Sequence, residues 1–315
     1  MPTREAVLER TAHLMETAEQ RAARQVAAAY NQARRELLAT LISDWTGAAV
    51  MTPDDAARLL RQSGLLQQID ARMLQLEREA GLTLRGIVED GSERAIDGIR
   101  RELALLPTEL RPPGLDMFST IHSRMVEQFV PTALGDWRTI TRGMSNTLQR
   151  ELQVGLIQGE PFHTLTARLL AQAPGEGAVF PRAQTSAELA TRRLVIAAEN
   201  GAKQAAIGEV AATVPRIGKQ AIAAVGKGTT DCCLRAHGQI QPHDRPFELV
   251  GTPRFADQMM YSPFHFNCRT SIAMHHPAFE ATMPTSRMKA AAERELQRRK
   301  DEKEGLAGGG RTAVR

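Results

Sequence analysis

Cysteine and aromatic residues are scarce in this sequence. Among its 315 residues there are three cysteines, and Phe, Trp and Tyr together account for 4%. A small, odd number of thiols argues against a disulfide framework. The shortage of aromatic side chains argues against a β-sandwich, whereas the abundant Ala, Leu, Arg and Glu are typical of helices that pack through small side chains.

Signals for export and for membrane insertion are also missing. Residues 1–8 are not followed by the apolar stretch of a signal peptide, and no uncharged run has the length of a membrane span. The 40 basic and 36 acidic residues give a net charge of +4, which is too balanced for a dedicated nucleic-acid binder. These features predict a protein of a reducing cytoplasm, or of a particle assembled there, with no membrane partner.

The motifs of common enzyme classes do not occur. There is no P-loop, no Gly-x-Ser-x-Gly and no His-Glu-x-x-His. Glu199 follows Arg192 and Arg193 on a predicted helix, where a carboxylate more often pairs with a nearby cation than acts in catalysis. We therefore expect no enzyme activity and no small-molecule substrate.

Residues 4–42 carry one apolar stripe with the spacing of an α-helix. Its members recur every three, four or seven residues and are Leu8, Met15, Ala22, Val26, Tyr30, Ala33, Leu37 and Leu41. A helix with this single stripe needs a partner that covers it. Two partners are open: the next helices of the same chain in a bundle, or a helix of another chain in a coiled coil.

Proline and glycine divide the rest of the chain. Thr52–Asp55 predicts a helix start, Gly81 predicts a helix end, and Pro131 and Gly135 predict breaks in a helical pattern. An apolar run at 221–225 predicts a strand. The fold class is therefore mainly α, with long N-terminal helices, a helical middle region and a small C-terminal α+β module. The predicted regions are 1–110, 115–212, the α+β module at 213–280, and a charged helix with a flexible basic tail at 281–315.

All three cysteines lie in two short segments, and each segment also carries a histidine. Cys233 and His237 are four residues apart, and His265 and Cys268 are three apart, so each pair converges on one face of a helix or turn. Two thiolates and two imidazoles complete the tetrahedron of a structural zinc site. The alternative is that the cysteines are reduced core residues and the histidines bond locally. The predicted zinc ligands are Cys233, His237, His265 and Cys268.

Several neighbours of these four residues have weaker signals. Cys232 is the spare cysteine, because adjacent residues rarely bind one metal ion together. Arg269 directly follows Cys268, where a cation is expected to lower the pKa of the thiol. Arg269 is also a candidate interaction residue for a phosphate or for a carboxylate of a neighbouring subunit. His275 and His276 precede a proline and are more typical of loop residues than of further ligands.

The cysteine segments, with two segments upstream, resemble a known family. Cys233–Gly238 has the form Cys-x-x-x-His-Gly, and Ser262–Arg269 reads Ser-Pro-Phe-His-Phe-Asn-Cys-Arg. Gly155–Pro161 resembles a glycine turn between two helices, and Arg192–Asn200 resembles a helix that runs from arginine to glutamate. Together, over about residues 145–275, they resemble the C-terminal module of phage head morphogenesis proteins, the Mu-like minor head proteins.

This resemblance implies a structural protein of a tailed phage or prophage, located in the phage head and, during assembly, in the host cytoplasm. Such a protein joins the portal with the procapsid and aids head assembly or DNA delivery. The expected partners are the portal and other capsid proteins, with contact to packaged DNA. Two other functions stay open: a zinc-dependent enzyme module acting on nucleic acid or protein, and a zinc-binding DNA adaptor whose affinity falls with salt.

Overall fold

A computed structural model of the chain describes most of its residues. The described residues are 3–44, 54, 58, 64–112, 118–158, 160, 162–169, 179–280 and 283–309. Of the helix start predicted at Thr52–Asp55, only Asp54 falls among them. The outcome of that prediction therefore lies outside the described residues.

The described part of the chain is mainly helical, as predicted. The helices are α1 (Arg4–Asp44), α2 (Leu65–Leu103), α3 (Ile121–Ile157), α4 (Phe162–Leu169), α5 (Val179–Ala211), α6 (Asp231–Ala236) and α7 (Thr285–Gly309). Short 3-10 helices lie at Thr108–Leu110 and Pro277–Phe279. None of the helices in the described residues combines the length and the apolar character that crossing a membrane requires.

Contacts within the chain define two compact units. The first unit consists of Met1–Ala18, Val88–Val126 and Val195–Arg315, and the second of Glu19–Ile87 and Glu127–Leu194. The divisions between the units thus fall inside α1, α2, α3 and α5. The four regions predicted from the sequence are continuous segments, whereas each unit combines several segments. The four regions stay a prediction.

The second unit has a core of helix side chains that includes one aromatic pair. Tyr30 of α1 and Trp137 of α3 are both buried, and their ring centroids are 5.7 Å apart. The hydroxyl of Thr141 donates to Glu77 Oε1 of α2 at 2.7 Å. Helices that are distant in sequence therefore cover one another's apolar faces in this unit.

The apolar stripe of α1 is buried within the chain. Every described member of the stripe, from Leu8 to Leu37, is 7% exposed or less, and the side chain of Leu41 lies outside the described residues. The stripe therefore packs against other parts of its own chain. Of the two partners left open by the sequence, the structure has the intramolecular one, so this stripe is not a free surface for a coiled coil with another protein.

Helix breaks that local sequence predicts do not occur in α2 and α3. Helix α2 continues through Gly81, and α3 contains both Pro131 and Gly135. Proline lacks the N–H that an inner helical residue donates, so packing has to offset the lost bond. On either side of Gly135, Ala133 and Trp137 are buried. The predicted breaks are wrong because tertiary packing outweighs local propensity here.

The C-terminal module is a small antiparallel sheet with short helices, as predicted. Strand β1 lies at the centre of a three-stranded sheet with the order β2-β1-β5, and β3 pairs with β4 in a second sheet. The strand predicted at 221–225 begins three residues earlier. The strands are β1 (Gly218–Ile222), β2 (Ile240–Pro242), β3 (Phe247–Glu248), β4 (Gln258–Met259) and β5 (Ser271–His275).

Buried polar side chains fix this module on α5 within the first unit. Asn200 Nδ2 donates to Ser262 Oγ at 2.9 Å, and Asn200 Oδ1 accepts from the backbone N–H of Ile272 at 2.8 Å. Lys203 Nζ donates to Ser271 Oγ at 2.6 Å. A buried polar group is costly unless it is hydrogen-bonded, so these contacts favour one position of β5 against α5.

Two buried charges complete the same region. Glu199 is fully buried, and its carboxylate lies 3.0 Å from Lys203 Nζ and 3.3 Å from Arg94 Nε. The expectation that Glu199 pairs with a nearby cation is confirmed. Arg4, at the start of α1, donates to Gln220 Oε1 at 2.9 Å and to the carbonyl oxygen of Met274 at 2.8 Å. Arg4 therefore connects the first turn of α1 to β1 and β5.

Candidate metal centre

Helix α6 holds two of the three cysteines against the sheet. The helix ends at Ala236 with His237 as its C-cap, and Gly238 follows with a φ of +77°, the left-handed conformation that favours glycine after a helix. The N–H of Gly238 donates to the carbonyl oxygen of Ala221 at 2.8 Å, so the end of α6 is bonded to β1. Cys232 and Cys233 are thereby held in buried positions.

The second cysteine segment is a tight turn. The N–H of Cys268 donates to the carbonyl oxygen of His265 at 3.2 Å, and Asn267 between them has a φ of +58°. Asparagine adopts this left-handed conformation more readily than most residues do. The three-residue spacing therefore brings His265 and Cys268 to one side of the turn, as predicted.

Cys233 is the centre of a cluster of thiols and imidazole. Its Sγ lies 3.0 Å from His265 Nε2 and 3.6 Å from Cys268 Sγ. Ligand atoms of Cys232, Cys233 and His265 all lie within 4.8 Å of one another. In a tetrahedron with zinc–sulfur bonds of about 2.3 Å, two sulfur atoms are about 3.7 Å apart. The separation between Cys233 and Cys268 therefore matches one edge of a zinc site.

His265 presents the nitrogen that a metal ion needs. Its Nδ1 donates to the carbonyl oxygen of Phe266 at 2.5 Å, which leaves the Nε2 lone pair directed at Cys233 and at the hydroxyl of Thr230. A backbone carbonyl that accepts from the second ring nitrogen is the usual support of a metal-binding histidine. Burial opposes protonation of His265, but the contacts with Cys268 and with the Phe266 carbonyl raise its pKa.

His237 does not join the cluster. The backbone N–H of Ala223 donates to His237 Nδ1 at 2.9 Å, so this nitrogen is an acceptor and the proton of the neutral ring lies on Nε2. Burial lowers the pKa of His237 to about 4, which keeps the ring neutral. Neither nitrogen then offers a free lone pair, and His237 binds the backbone directly after β1 instead of completing the predicted set.

Cys232, rather than His237, belongs to the group of close ligand atoms. It lies within the group of ligand atoms around Cys233, while its Sγ donates to the carbonyl oxygen of Pro253 at 2.7 Å. Cys268 is not part of that group, although its Sγ lies 3.6 Å from Cys233 Sγ, so a site of three thiols and one imidazole requires Cys268 to approach the other ligand atoms. Such a set is a recognised combination in closed, structural zinc sites.

The three thiols hold their protons with different strength. Contact with Cys233 lowers the pKa of Cys232. Contact with Cys232, together with burial, raises the pKa of Cys233. Contact with Cys233, together with burial, raises the pKa of Cys268 to about 12. A metal ion that binds here has to displace these protons, so its affinity rises with pH.

Arg269 does not act on Cys268 as the sequence suggested. Its side chain is 62% exposed and forms a long ion pair of 3.9 Å with Glu16. The charge is therefore turned into solvent, where water and salt screen it from the buried thiol. The pKa of Cys268 is raised rather than lowered, so the expected effect of this cation is wrong.

Two further histidines have structural roles. His275 is the last residue of β5, and its Nε2 lies 3.0 Å from Glu280 Oε1. His276 accepts from the N–H of Ala278 and so caps the following 3-10 helix. Neither residue belongs to the group of metal-binding atoms found among the described residues.

A pocket of about 470 Å³ lies beside the cluster. It is lined by the loop 223–230, by Cys233 and His265, and by Asn267, Arg269 and Thr270. Sequence reasoning missed this pocket, because residues 223–230 contain no apolar period and no known motif. The position of Cys232 near Cys233 and His265 was also missed. Two adjacent cysteines do not reveal, from sequence alone, where each thiol points after folding.

Comparison with known proteins gives no match: no family model, no curated protein and no solved structure is similar to the chain. The resemblance to phage head morphogenesis proteins therefore depends on the motif residues alone.

Proposed function

We propose that the chain is a structural minor head protein of a tailed phage or prophage, which joins the portal with the procapsid and aids head assembly or DNA delivery. One observation carries the proposal. The two cysteine segments that resemble the family, Cys233–Gly238 and Ser262–Arg269, meet through the contacts of Cys233 with His265 and Cys268. Motif residues of one module are expected to meet in this way, whereas chance matches have no reason to do so.

In this role the cluster holds a structural zinc ion. The ligands would be Cys232, Cys233 and His265, whose ligand atoms lie within 4.8 Å of one another, with Cys268 as the fourth. A bound zinc ion would cross-link α6 to the turn that contains His265 and Cys268 and, with four protein ligands, leave no position for a substrate. Two features support this proposal: the separation of the Cys233 and Cys268 sulfur atoms, and the Phe266 carbonyl that accepts from His265 Nδ1.

The expected partners are the portal and other capsid proteins, with contact to packaged DNA. The protein would be located in the host cytoplasm during assembly and in the virion afterwards. Because the stripe of α1 is buried, docking falls to exposed faces of the helices and of the small module.

The test is the presence of the protein in purified particles. Mass spectrometry of heads should detect the wild-type chain in a constant ratio to the portal protein. Cys268→Ala should reduce its incorporation, because the module loses its cross-link, whereas His243→Ala, at a half-exposed turn outside the cluster, should not. A chain that is absent from heads in its wild-type form would contradict the proposal.

A zinc-dependent enzyme module acting on nucleic acid or protein is the second candidate. The pocket that borders Cys233 and His265 favours it, because a cleft beside an ion is what an open coordination position requires. Cobalt-substituted protein separates the two functions. Added azide should leave the visible spectrum unchanged if four side chains fill the site, and should shift it if one position is open.

A further inference from the structure

The pocket beside the cluster has walls of one charge sign. Its volume of about 470 Å³ lies within the range of small-molecule sites. Lys227 and Arg269 line it, together with the polar side chains of Thr229, Thr230 and Asn267. No aspartate or glutamate is among the described residues that line the pocket. Two cations without an acidic neighbour in the lining create a positive potential that favours an anion.

The loop that carries Lys227 is anchored rather than loose. Arg299 of α7 donates to the carbonyl oxygen of Gly226 at 2.8 Å and to that of Lys227 at 3.1 Å. The N–H of Thr229 donates to the Gly226 carbonyl oxygen at 3.0 Å, which closes a turn. The wall of the pocket is therefore held in place before any ligand arrives, which reduces the entropy lost on binding.

Arg269 is able to bind an anion in this pocket. Its ion pair with Glu16 is 3.9 Å long, and the two side chains are 62% and 50% exposed. A long ion pair between exposed side chains contributes little to the stability of the fold. An oxyanion that accepts two parallel hydrogen bonds from a guanidinium is held more strongly.

We propose that this pocket binds a phosphate group between Lys227 and Arg269. A phosphate carries a charge of about −1.5 to −2 at neutral pH and has several acceptor oxygens. This matches two cations together with the Asn267 amide of the lining, whereas a carboxylate has one charge and fewer acceptors. No Phe, Tyr or Trp is among the described lining residues, and the His265 ring is buried, so the pocket has no exposed ring on which a base would stack. The assignment goes beyond the proposed head function and depends neither on it nor on zinc.

The test is calorimetric titration of the full-length protein with inorganic phosphate at low ionic strength. One phosphate should bind per chain, and acetate should bind more weakly. Arg269→Gln and Lys227→Gln should each weaken phosphate binding by about tenfold, as expected for loss of a charge-assisted hydrogen bond. Arg245→Gln removes the same charge from an exposed position of the module outside the pocket, and it should bind phosphate as the wild type does.

A second measurement needs no variant. Phenylglyoxal modifies exposed guanidinium groups, and phosphate should protect Arg269 from it in the wild-type protein while leaving Arg245 reactive. Peptide mapping by mass spectrometry gives the extent at each residue. Absence of protection at Arg269, or equal phosphate affinity of the wild type and the Arg269→Gln variant, would overturn the proposal.

An oligothymidylate of eight nucleotides distinguishes two sources of the phosphate. If the oligonucleotide competes with inorganic phosphate and binds more tightly than phosphate does, and if Arg269→Gln abolishes the difference in affinity, the pocket binds the phosphate backbone of a nucleic acid. If it does not compete, the ligand is a free phosphate or a small phosphorylated molecule. Equal weakening of phosphate binding by Arg245→Gln would instead indicate attraction by overall charge, which overturns the site.

Discussion

The ring nitrogens of His237 and His265 determine which histidine is able to bind a metal ion. Both residues have the spacing of ligands in the sequence, and both are buried. The backbone N–H of Ala223 donates to the Nδ1 lone pair of His237. In His265, by contrast, Nδ1 donates its hydrogen bond to the Phe266 carbonyl, so the lone pair on Nε2 stays free for a metal ion. The sequence could not predict this difference, because it depends on which backbone group each ring meets after folding.

The first prediction concerns the zinc ligands. Cys268→Ala should weaken zinc binding by more than the roughly 10- to 100-fold that loss of an outer-shell partner causes, because it removes a direct ligand. His237→Ala should retain zinc, since His237 accepts from the backbone N–H of Ala223 instead. Elemental analysis of protein purified without chelator gives the zinc content of each variant.

Cys232→Ala is the variant that separates a closed site from an open one. If Cys232 is one of the four ligands, the zinc affinity of this variant should fall as it does for Cys268→Ala. Loss of zinc from His237→Ala with retention in Cys232→Ala would restore the set that the sequence predicts and contradict the arrangement described above.

The second prediction concerns a buried carboxyl group of α2. Burial raises the pKa of Glu102 from its ordinary value of 4.5 to about 7, although Arg4 and Lys203 oppose the shift. The folded protein therefore keeps this proton between about pH 4.5 and pH 7, while the unfolded chain loses it. The contribution of Glu102 to stability should be full below pH 4.5 and should disappear as the pH rises through 7, by up to about 3 kcal/mol.

Urea unfolding at a series of pH values measures how the free energy of unfolding changes with pH. Glu102→Gln keeps the shape of the side chain without the titration, so it should flatten the pH dependence between 4.5 and 7. The same change at the exposed Glu109 should leave the slope as in the wild type. A wild-type slope that survives in Glu102→Gln would assign the dependence to other groups.

At the scale of elements, the stripe of α1 shows what a sequence reveals well. Its period places seven described side chains in the core, and the observed helix, Arg4–Asp44, matches the predicted residues 4–42 closely. Gly81 and Pro131 show the opposite. Local propensity predicts interruptions at both, yet each lies inside a continuous helix. Propensities of about 1 kcal/mol for glycine and 3 kcal/mol for proline are smaller than the burial of a long helix face.

The third prediction follows from the proline in α3. Pro131 is exposed and lies in the helix interior, where it removes one hydrogen bond of the ladder. Pro131→Ala should therefore raise the free energy of unfolding by about 1–3 kcal/mol. Gly135→Ala is a matched test, because an added Cβ there meets no atom within 4 Å, and it should stabilise by about 1 kcal/mol.

Thermal unfolding followed by circular dichroism measures both changes. A lower midpoint for Pro131→Ala, with a higher one for Gly135→Ala, would show that the helix needs its proline for a local bend. A lower midpoint for both variants would contradict the view that α3 is held against its local propensities.

At the scale of the whole molecule, the fourth prediction concerns the extent of the zinc cross-link. The cluster joins α6 to one turn of the C-terminal module, and its four residues all belong to the first unit. A zinc chelator should therefore expose residues 213–280 to protease while most of the helical signal persists. Limited proteolysis with mass spectrometry and circular dichroism are the two measurements. Structural zinc contributes on the order of 10 kcal/mol in isolated peptides, so the change in cleavage should be large.

The same chelation applied to Cys268→Ala is the control. This variant should already be cleaved within residues 213–280, and chelator should add little. Loss of the entire helical signal from the wild type on chelation would contradict a local cross-link, and an unchanged cleavage pattern would show that packing alone holds the module.

The contact of Arg4 has a consequence for the timing of synthesis. The guanidinium donates to the carbonyl oxygen of Met274, a residue that lies 270 positions later in the chain. At roughly 5–20 residues per second, the ribosome needs on the order of 15–50 s to supply that partner after Arg4 has been added. During this interval the start of α1 has no sheet to bind. The start of α1 is therefore available to chaperones or to a neighbouring copy for a long period. This period ends when β5, which contains Met274, has been synthesised.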